Sequence, residues 1–293
     1  MQAIPPRRIL IIFNPAAGHR RRARLDRVIA AVRALGCSVE VAETSWPGQA
    51  ESIARDAAAT VDVIAAAGGD GTINEIINGL DAKVIDIGIV PLGTANVLAR
   101  EIGLGLGTKT VARTLAFGMP RPIHVGRANG RRFVMMLGVG FDANVVADVS
   151  LRLKTRFGSL AYVLQAIKHA LGNPSEPCEI TIDGTSYRAS SVVVCNGRLY
   201  GGRFVAAPAA VLADDQFNVV LMSGRGVLSV LRYGLGLILG RLTMWRDVQI
   251  VRGRDVVVRG AAGQPVQADG DIVARLPVHV TTDHAVVRVL YPG

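Results

Sequence analysis

The sequence of 293 residues predicts two domains: an α/β domain with a parallel sheet over residues 1–120 and a β-rich domain over residues 121–293. Apolar runs typical of buried strands alternate with segments of helical periodicity in the first part. After Pro120 and Pro122, short runs of β-type residues dominate. Half of all residues are hydrophobic, which is enough to bury a sizeable core in both domains.

The first part contains four predicted strands with helical segments between them. Apolar residues at positions 25, 28, 29 and 32 follow the helical spacing, and Gly36 is expected to end that helix. A similar pattern runs from Ile73 to Leu80. The predicted strands are Ile9–Phe13, Cys37–Ala42, Val61–Ala67 and Val84–Val90, and the other helices are Gln49–Ala59 and one from about Ala95. Such alternation is typical of a parallel sheet covered by helices.

The second part reads mainly as strands. Asp183-Gly184 is a hairpin-turn signal between two of them. Two helical segments are expected, near 151–171 and 227–239, and the first carries basic residues between apolar ones, as in helices that either pack on a core or bind anionic membranes. The predicted strands are Arg132–Leu137, Glu179–Ile182, Val192–Cys195, Phe217–Met222, Val248–Val251, Val256–Arg259, Val278–Thr281 and Val286–Leu290.

Charge and cysteine content limit the classes of partner. Lys and Arg exceed Asp and Glu by 33 to 23, which gives a net charge of +10 and favours an anionic partner such as a nucleotide, a phospholipid surface or a nucleic acid. The three cysteines lie far apart and form no metal-binding or disulfide spacing, so we expect a reducing, cytoplasmic setting. The apolar run from Gly226 to Gly240 is broken by Arg232, so no membrane span is predicted.

Three loops rich in small residues follow predicted strands of the first domain. They are Asn14–Gly18, Gly68–Thr72 and Pro91–Asn96. Glycines let a phosphate approach the backbone, and a following helix offers N–H groups and the positive end of its dipole. Ligands of open α/β sheets bind at the carboxyl ends of the strands, so the three loops are expected to converge on one ligand rather than to be mere turns. Thr72 and Glu75 also have the spacing of a capping box.

Together, the segments Asn14–Gly18, Gly68–Gly79 and Pro91–Asn96 resemble the diacylglycerol kinase catalytic-domain family, which includes bacterial lipid kinases and sphingosine kinases. The resemblance extends to Gly138–Asp142 and to Asp269-Gly270-Asp271. It implies an N-terminal α/β nucleotide domain, a C-terminal β-sandwich, and phosphorylation of a lipid hydroxyl that depends on ATP and Mg²⁺. We therefore expect a lipid substrate at a membrane surface, with the protein peripheral on the inner membrane face. The oligomeric state stays open.

The resemblance also assigns site residues. The ATP phosphates are expected to contact Asn14, Gly68, Gly69, Asp70, Gly71, Thr72 and Thr94, and Thr44 is expected to lie against the nucleotide. Asp70 would act in catalysis beside Mg-ATP, and Asp269 or Asp271 would accept the hydroxyl proton. The carbonyl groups of Leu212 and Phe217 and the carboxylate of Asp215 would bind a structural Mg²⁺.

Two positions depart from the family pattern. Gln216 replaces a usual glycine in the predicted metal loop, and Asp271 stands where the family usually has Glu. Two alternative functions stay open. One is a small-molecule kinase related to NAD kinases, which share the Gly-Gly-Asp-Gly-Thr loop, and the other is a catalytically weak homologue that binds membranes. No nucleic-acid partner is expected, because no binding motif is present and only 5% of residues are aromatic.

Overall fold

The computed structural model describes residues 6–15, 19–80, 85–140, 177–283 and 286–293. The chain forms two compact units, residues 1–123 with 284–293 and residues 124–283. The first unit thus includes the last strand of the chain, which the predicted division at residue 120 assigned to the second domain. The predicted segment 151–171 lies outside the described residues.

The first unit contains a six-stranded mixed sheet. Its strands are β1 Arg8–Phe13, β2 Ser38–Glu43, β3 Val63–Gly68, β4 Asp86–Pro91, β5 Met119–Ile123 and β20 Val287–Tyr291. They lie in the order β2-β1-β3-β4-β20-β5, in which the first five are parallel and β5 is antiparallel to β20. All residues of β3 and β4 are buried, as expected for central strands of a parallel sheet.

Five helices belong to the described part of this unit: α1 His19–Ala34, α2 Gln49–Ala57, α3 Asp70–Gly79, α4 Val97–Glu101 and α5 Thr108–Phe117. The apolar stripe of α1 is buried, as its spacing predicts. Helix α5 was not predicted, although its residues Val111 and Leu115 are fully buried. The β20 strand is fixed beside β4 partly by an ion pair between Arg288 and Asp86.

The second unit contains two six-stranded antiparallel sheets. Its strands are β6 Gly126–Ala128, β7 Arg131–Phe133, β8 Met136–Gly140, β9 Cys178–Ile182, β10 Thr185–Ala189, β11 Ser191–Cys195, β12 Leu199–Tyr200, β13 Phe204–Val205, β14 Phe217–Met222, β15 Val248–Gly253, β16 Asp255–Arg259, β17 Pro265–Ala268, β18 Asp271–Arg275 and β19 Val278–Thr282. The two sheets have the orders β10-β9-β16-β19-β6-β7 and β15-β14-β11-β8-β17-β18. The predicted turn at Asp183-Gly184 connects β9 to β10, and both residues have positive φ angles.

Alternating inward-facing residues of the two sheets form the core of this unit. Phe133 and Phe217 stack there with ring centroids 5.9 Å apart. Aromatic pairs of this kind add to the stabilisation that their buried area gives. The predicted fold class, a parallel α/β domain followed by a β-sandwich-like domain, is confirmed.

The second unit also contains a helix, α6 Gly226–Ile238, which is followed by a short 3₁₀ turn, Leu242–Met244. Its bounds agree closely with the predicted segment 227–239. Among the described residues, no helix combines the length and the apolar character needed to cross a bilayer.

Candidate functional site

The carboxyl ends of four neighbouring strands bring the predicted loops of the first unit together. Strands β2, β1, β3 and β4 are adjacent and parallel, so the residues that follow them share one edge of the sheet. The Asn14 N–H donates to the Ala67 carbonyl (3.2 Å), and the Thr44 N–H donates to the Phe13 carbonyl (2.9 Å). These bonds hold the start of the Asn14–Gly18 loop and the residue Thr44 against the ends of the neighbouring strands.

The loops after β3 and β4 contact each other through their backbones. The N–H groups of Leu92 and Gly93 both donate to the carbonyl of Gly68, each at 2.9 Å. A Cβ atom at Gly93 would lie 2.4 Å from the Cα of Gly69, and one at Gly68 would lie 2.3 Å from the Thr72 hydroxyl oxygen. Gly93 therefore allows the close approach of the two loops, and Gly68 leaves room for the Thr72 side chain within its own loop.

Asp70 is the first residue of α3, directly after the two glycines. Its carboxylate oxygen Oδ1 accepts the N–H of Leu98 in α4 at 3.2 Å. The side chain of Asn96, at the start of α4, donates to the Gly93 carbonyl at 2.8 Å and is buried. Asp70 therefore connects the start of α3 to α4, and Asn96 holds the shape of the Pro91–Asn96 loop.

The predicted capping box at the start of α3 is wrong. The N-terminal cap position is Gly69, which has no side chain, and Thr72 lies inside the helix and is buried. The Glu75 carboxylate instead accepts the N–H of Ala50, the second residue of α2, at 3.2 Å. The helix begins three residues earlier than the Thr72 signal suggests, because Asp70 is already in helical geometry directly after Gly69.

The other residues predicted to contact the nucleotide differ in exposure. Thr94 is exposed in the loop after β4, Asn14 is half-buried, and Thr44 is buried with its hydroxyl near the Phe13 carbonyl. Residues 16–18 of the first loop lie outside the described residues. Arg22 pairs with Asp26 and Glu43, so its charge is partly balanced within the unit.

This edge of the sheet has the features of a phosphate site. It combines glycine backbone that a ligand can approach closely with the N-terminus of α3, whose dipole favours anions. The carboxylate of Asp70 at the same helix end would repel a bare phosphate but would favour a phosphate that carries a divalent cation. The arrangement therefore suits a nucleotide triphosphate bound as its metal complex.

In the second unit, Asp269-Gly270 forms the tight turn of the β17–β18 hairpin. Both residues have positive φ angles, 50° and 92°, as a type I′ turn requires. The Asp269 carboxylate accepts the N–H groups of Val134 (2.7 Å), Met135 (2.9 Å) and Met136 (3.1 Å). This carboxylate therefore ties the hairpin to the start of β8.

Asp271 is placed differently from Asp269. It is the first residue of β18, lies opposite Ala268 and is exposed. The two carboxylates do not share one side of a strand, because Asp269 lies in the turn and not in β17. The hairpin thus separates a carboxylate engaged by backbone N–H groups from one that faces solvent.

The predicted metal residues lie before and at the start of β14. The carbonyl of Leu212 accepts the N–H of His124 at 2.8 Å, and Phe217 is the first residue of β14, opposite Gly253. Asp215 forms an ion pair with Arg254, which holds the pKa of that carboxyl below its usual range. The neighbouring Asp214 pairs with Arg252 at 2.7 Å.

One carboxylate and two carbonyl groups are oxygen ligands of the kind that Mg²⁺ prefers. In this chain, however, an ion would compete with the guanidinium of Arg254 for Asp215, and the Leu212 carbonyl already accepts a hydrogen bond. The described residues also contain no cluster of three His, Cys, Asp or Glu side chains that could hold a metal. The loop as described does not fit a Mg²⁺ ion unless Arg254 moves, and the assignment of Leu212, Asp215 and Phe217 stays a prediction.

Sequence reasoning missed several residues that build these sites. The Leu98 backbone N–H, the side chain of Asn96 and the arginines 252 and 254 carry no motif of their own. Asn96 lies in the Pro91–Asn96 segment, and its positive φ angle of 47° is one that Asn adopts more readily than most residues. The arginines could not have been found, because their partners are distant in sequence.

Family models match most of the chain. The model described as the diacylglycerol kinase catalytic domain matches residues 8–128. The model described as the YegS C-terminal NAD kinase β-sandwich-like domain matches residues 135–291, more than half of the chain. The first match covers most of the α/β unit and extends to β6, and the second covers most of the β-sandwich unit and includes β20 of the α/β unit.

Relatives match along nearly the full length. A diacylglycerol kinase of Bacillus subtilis (strain 168) is 28% identical over 98% of this chain and 97% of its own length. A protein of Pseudomonas putida named "Probable lipid kinase YegS-like" is 29% identical over 85% of this chain and 88% of its own. The crystal structure of a diacylglycerol kinase from Bacillus anthracis str. Sterne superposes with a TM-score of 0.81 at 23% identity, covering 99% of this chain and 98% of that one, which shows the shared fold.

Proposed function

The chain belongs to the lipid kinase family that joins a diacylglycerol kinase catalytic domain to a YegS-type C-terminal domain, and from this premise we propose that it is an ATP- and Mg²⁺-dependent lipid kinase. It would transfer the γ-phosphate of ATP to the hydroxyl group of a lipid of the diacylglycerol or sphingosine type. The names of the relatives from Bacillus subtilis and Pseudomonas putida support this class of substrate.

One observation carries the nucleotide part of the proposal. The two glycine loops are held together by backbone hydrogen bonds to the Gly68 carbonyl, and Asp70 joins them through the Leu98 N–H. Gly69 and Gly93 approach each other closely, and neither carries a side chain that would cover the backbone at the start of α3. We assign this bare backbone to the phosphates of ATP.

Phosphoryl transfer depends mainly on positioning and on stabilising charge. In our proposal, the backbone of residues 68–72 and the Thr94 side chain orient the phosphates, and Asn14 and Thr44 line the same edge of the sheet. The bound Mg²⁺ of the nucleotide supplies neutralisation of the phosphate charge. Asp70 balances that positive charge and keeps the complex at the helix end rather than the free anion.

The proton of the lipid hydroxyl needs an acceptor, and we assign this role to Asp271. The side chain of Asp271 is exposed, whereas that of Asp269 is already engaged with three backbone N–H groups. Asp269 would then be a positioning residue that fixes the hairpin on which Asp271 lies. Asp is shorter than the Glu usual at this position of the family, so the reach of Asp271 becomes a direct test of the assignment.

A second candidate is a kinase acting on NAD. The name of the C-terminal family model refers to the NAD kinase β-sandwich, so the fold of the second unit alone does not separate the two activities. The match of the N-terminal residues to the diacylglycerol kinase catalytic domain favours the lipid.

The experiment is a phosphorylation assay with purified protein, ³²P-labelled ATP and a total lipid extract, followed by chromatography of the lipid products. Parallel reactions contain NAD in place of lipid, omit Mg²⁺, or use heat-inactivated protein. We expect a labelled lipid that requires both Mg²⁺ and native protein, and no labelled NADP. Labelling of NAD instead, or ATP turnover that no lipid stimulates, would contradict the lipid kinase proposal.

A further inference from the structure

Helix α6 presents an unusual apolar face to solvent. Leu228 is 83% exposed, and Leu231, Leu235 and Ile238 follow at intervals of three, four and three residues, with Ile238 65% exposed. This spacing places the four side chains on one face of the helix. Leu239 and Met244, just beyond the helix, are also exposed. Such a group of large apolar side chains is rare on a surface that faces only water.

The opposite face of α6 is fixed by polar contacts. The Tyr233 hydroxyl accepts the Gly224 N–H (2.8 Å) and donates to Asp247 (2.5 Å), and Arg232 pairs with the same carboxylate. The Arg232 guanidinium also lies 5.0 Å from the ring centroid of Trp245. Burial, together with the hydrogen bond to Asp247, raises the pKa of Tyr233, so the phenol stays neutral in this contact.

Close packing supports the same orientation. Gly236 is buried, and a Cβ atom there would lie 2.9 Å from Nε1 of Trp245 and 3.0 Å from the Cα of Leu242. The helix cannot rotate to bury its leucines without breaking the contacts of Tyr233, Arg232 and Gly236. The apolar face is therefore turned outward by the fold itself.

Positive charges predominate in the helix and the residues next to it. The segment 224–247 contains four arginines and one acidic residue, Asp247. Arg232 is held by Asp247, while Arg225 at the start of the helix, and Arg241 and Arg246 beyond its end, are exposed. An apolar face with arginines at both ends matches a surface that is apolar inside and anionic outside, which is the chemistry of a bilayer containing anionic lipids.

We propose that α6 docks the protein on an anionic membrane, with Leu228, Leu231, Leu235 and Ile238 in the acyl-chain boundary and the exposed arginines at the lipid headgroups. A helix of 13 residues is about 20 Å long, shorter than the roughly 30 Å of a hydrocarbon core, so it would lie along the interface and not cross it. A second copy is a poorer occupant, because pairing this face with itself would bring arginines against arginines. The inference rests on the proposed function for its purpose: docking would give the kinase access to a lipid that stays in the membrane.

The test is co-sedimentation with vesicles in the absence of ATP, so that it does not depend on kinase activity. One set of vesicles is pure phosphatidylcholine, and the other is an equal mixture of phosphatidylcholine and phosphatidylglycerol. We expect wild-type protein to bind the mixed vesicles and to bind less as salt rises. The triple variant Leu228→Gln/Leu231→Gln/Leu235→Gln should lose at least about tenfold in binding, since interfacial binding scales with buried apolar area.

The matched control is Leu106→Gln/Met119→Gln/Val211→Gln, which changes three exposed apolar residues outside α6 and should bind as wild type does. Arg225→Gln/Arg241→Gln should reduce the preference for phosphatidylglycerol. Equal binding by the α6 variant and the control, or no binding by wild type, would overturn the proposal. So would a dimer in solution that the α6 variant abolishes, because the face would then be covered by a second copy.

Activity measurements separate this inference from the proposed function. With a short-chain diacylglycerol in detergent micelles, the α6 variant should keep wild-type turnover, whereas with long-chain lipid in mixed vesicles it should lose it. Vesicle binding that requires α6, in a protein that phosphorylates no lipid, would support docking and contradict the kinase proposal. If wild type and the α6 variant phosphorylated lipid equally well in vesicles and in micelles, the kinase proposal would be supported and docking by α6 would be contradicted.

Discussion

Two Asp-Gly segments, one in each unit, look alike in sequence and differ in structure. In Gly69-Asp70-Gly71, the aspartate begins α3 and its carboxylate accepts the backbone N–H of Leu98. In Asp269-Gly270-Asp271, the first aspartate occupies a hairpin turn and accepts three backbone N–H groups. The glycines also differ: Gly69 is needed for contact with Gly93, and Gly270 for its positive φ angle.

The comparison shows that the role of an aspartate depends on where the fold places it. A carboxylate that accepts three N–H groups contributes mainly to folding, because those donors would otherwise be left unsatisfied. A carboxylate at a helix start beside glycine backbone, or one exposed at a strand start, is placed where its charge can act on a ligand. We therefore expect rate effects at Asp70 and Asp271 and a stability effect at Asp269.

The largest expected effect is that of Asp271→Ala, which should lower turnover by about 10²–10⁴ through loss of the general base. ATP affinity and the melting temperature should change little, because the side chain is exposed. Asp271→Glu should keep or raise activity by extending the reach of the carboxylate. Steady-state kinetics on lipid, beside the exposed-carboxylate control Glu179→Ala, provide the measurement, and full activity of Asp271→Ala would remove it from the mechanism.

Next in size is Asp70→Asn, which should lower turnover by about 10²–10³, the range for losing a charge-stabilising group. The amide oxygen can still accept the Leu98 N–H, so we expect the circular dichroism spectrum and melting temperature to stay near those of wild type. Asp56→Asn, an exposed residue of α2, is the matched control. Turnover of the Asp70 variant equal to that of the control would contradict the nucleotide site proposed at this edge of the sheet.

Asp269→Ala should act on stability instead. Loss of the hydrogen bonds to a charged acceptor is expected to lower the free energy of unfolding by about 1.5–3 kcal/mol. Asp269→Asn should be milder, because Asn tolerates the turn conformation and keeps one acceptor oxygen. Urea unfolding of both variants and of Asp271→Ala measures the difference. If Asp271→Ala proved the less stable of the two alanine variants, the roles assigned in this hairpin would be reversed.

Gly93→Ala tests the loop contact. The added methyl group would meet the Gly69 backbone at 2.4 Å, and overpacking of this kind costs about 1–3 kcal/mol. We expect weaker ATP binding as well, measured by calorimetry, because the loop at Gly69 must move. Gly105→Ala, where the nearest atom is 3.6 Å away, is the control. Unchanged ATP affinity in Gly93→Ala would show that the contact is not part of the nucleotide site.

The smallest effect concerns Asp215 and Arg254. Because Arg254 lowers the pKa of Asp215, the pair stabilises the fold above the ordinary carboxyl pKa of about 3.9 and loses this contribution as the pH falls through the lowered value. The difference in melting temperature between wild type and Arg254→Gln should therefore shrink at low pH.

Magnesium adds a second readout at this loop. Mg²⁺ should raise the melting temperature of Arg254→Gln more than that of wild type or of Arg203→Gln, since only the first variant frees the Asp215 carboxylate. An equal and EDTA-sensitive stabilisation of all three proteins would show that the ion binds Leu212, Asp215 and Phe217 despite the arginine.

Much of the fold followed from local patterns. Apolar runs and helical spacing predicted β1, α1, β3 and α3 within a few residues, because buried strands and amphipathic helices repeat their apolar residues at short intervals. The patterns did not predict α5, nor did they show that β20 returns to the first unit, where it pairs with β4 and β5. Strand partners separated by about two hundred residues leave no signature in a single sequence.

The fold class, the family resemblance and the three glycine loops follow from the sequence alone, since glycine, apolar periodicity and motif order are local properties of the chain. The folded structure is needed to show which carboxylate each backbone donor engages, that Arg254 pairs with Asp215, and that α6 turns its leucines outward. The same helical spacing describes a leucine face that is buried and one that is exposed. Long-range packing sets which face of the helix is exposed. Here, contacts that involve Tyr233, Asp247 and Trp245 hold the opposite side of α6 in place.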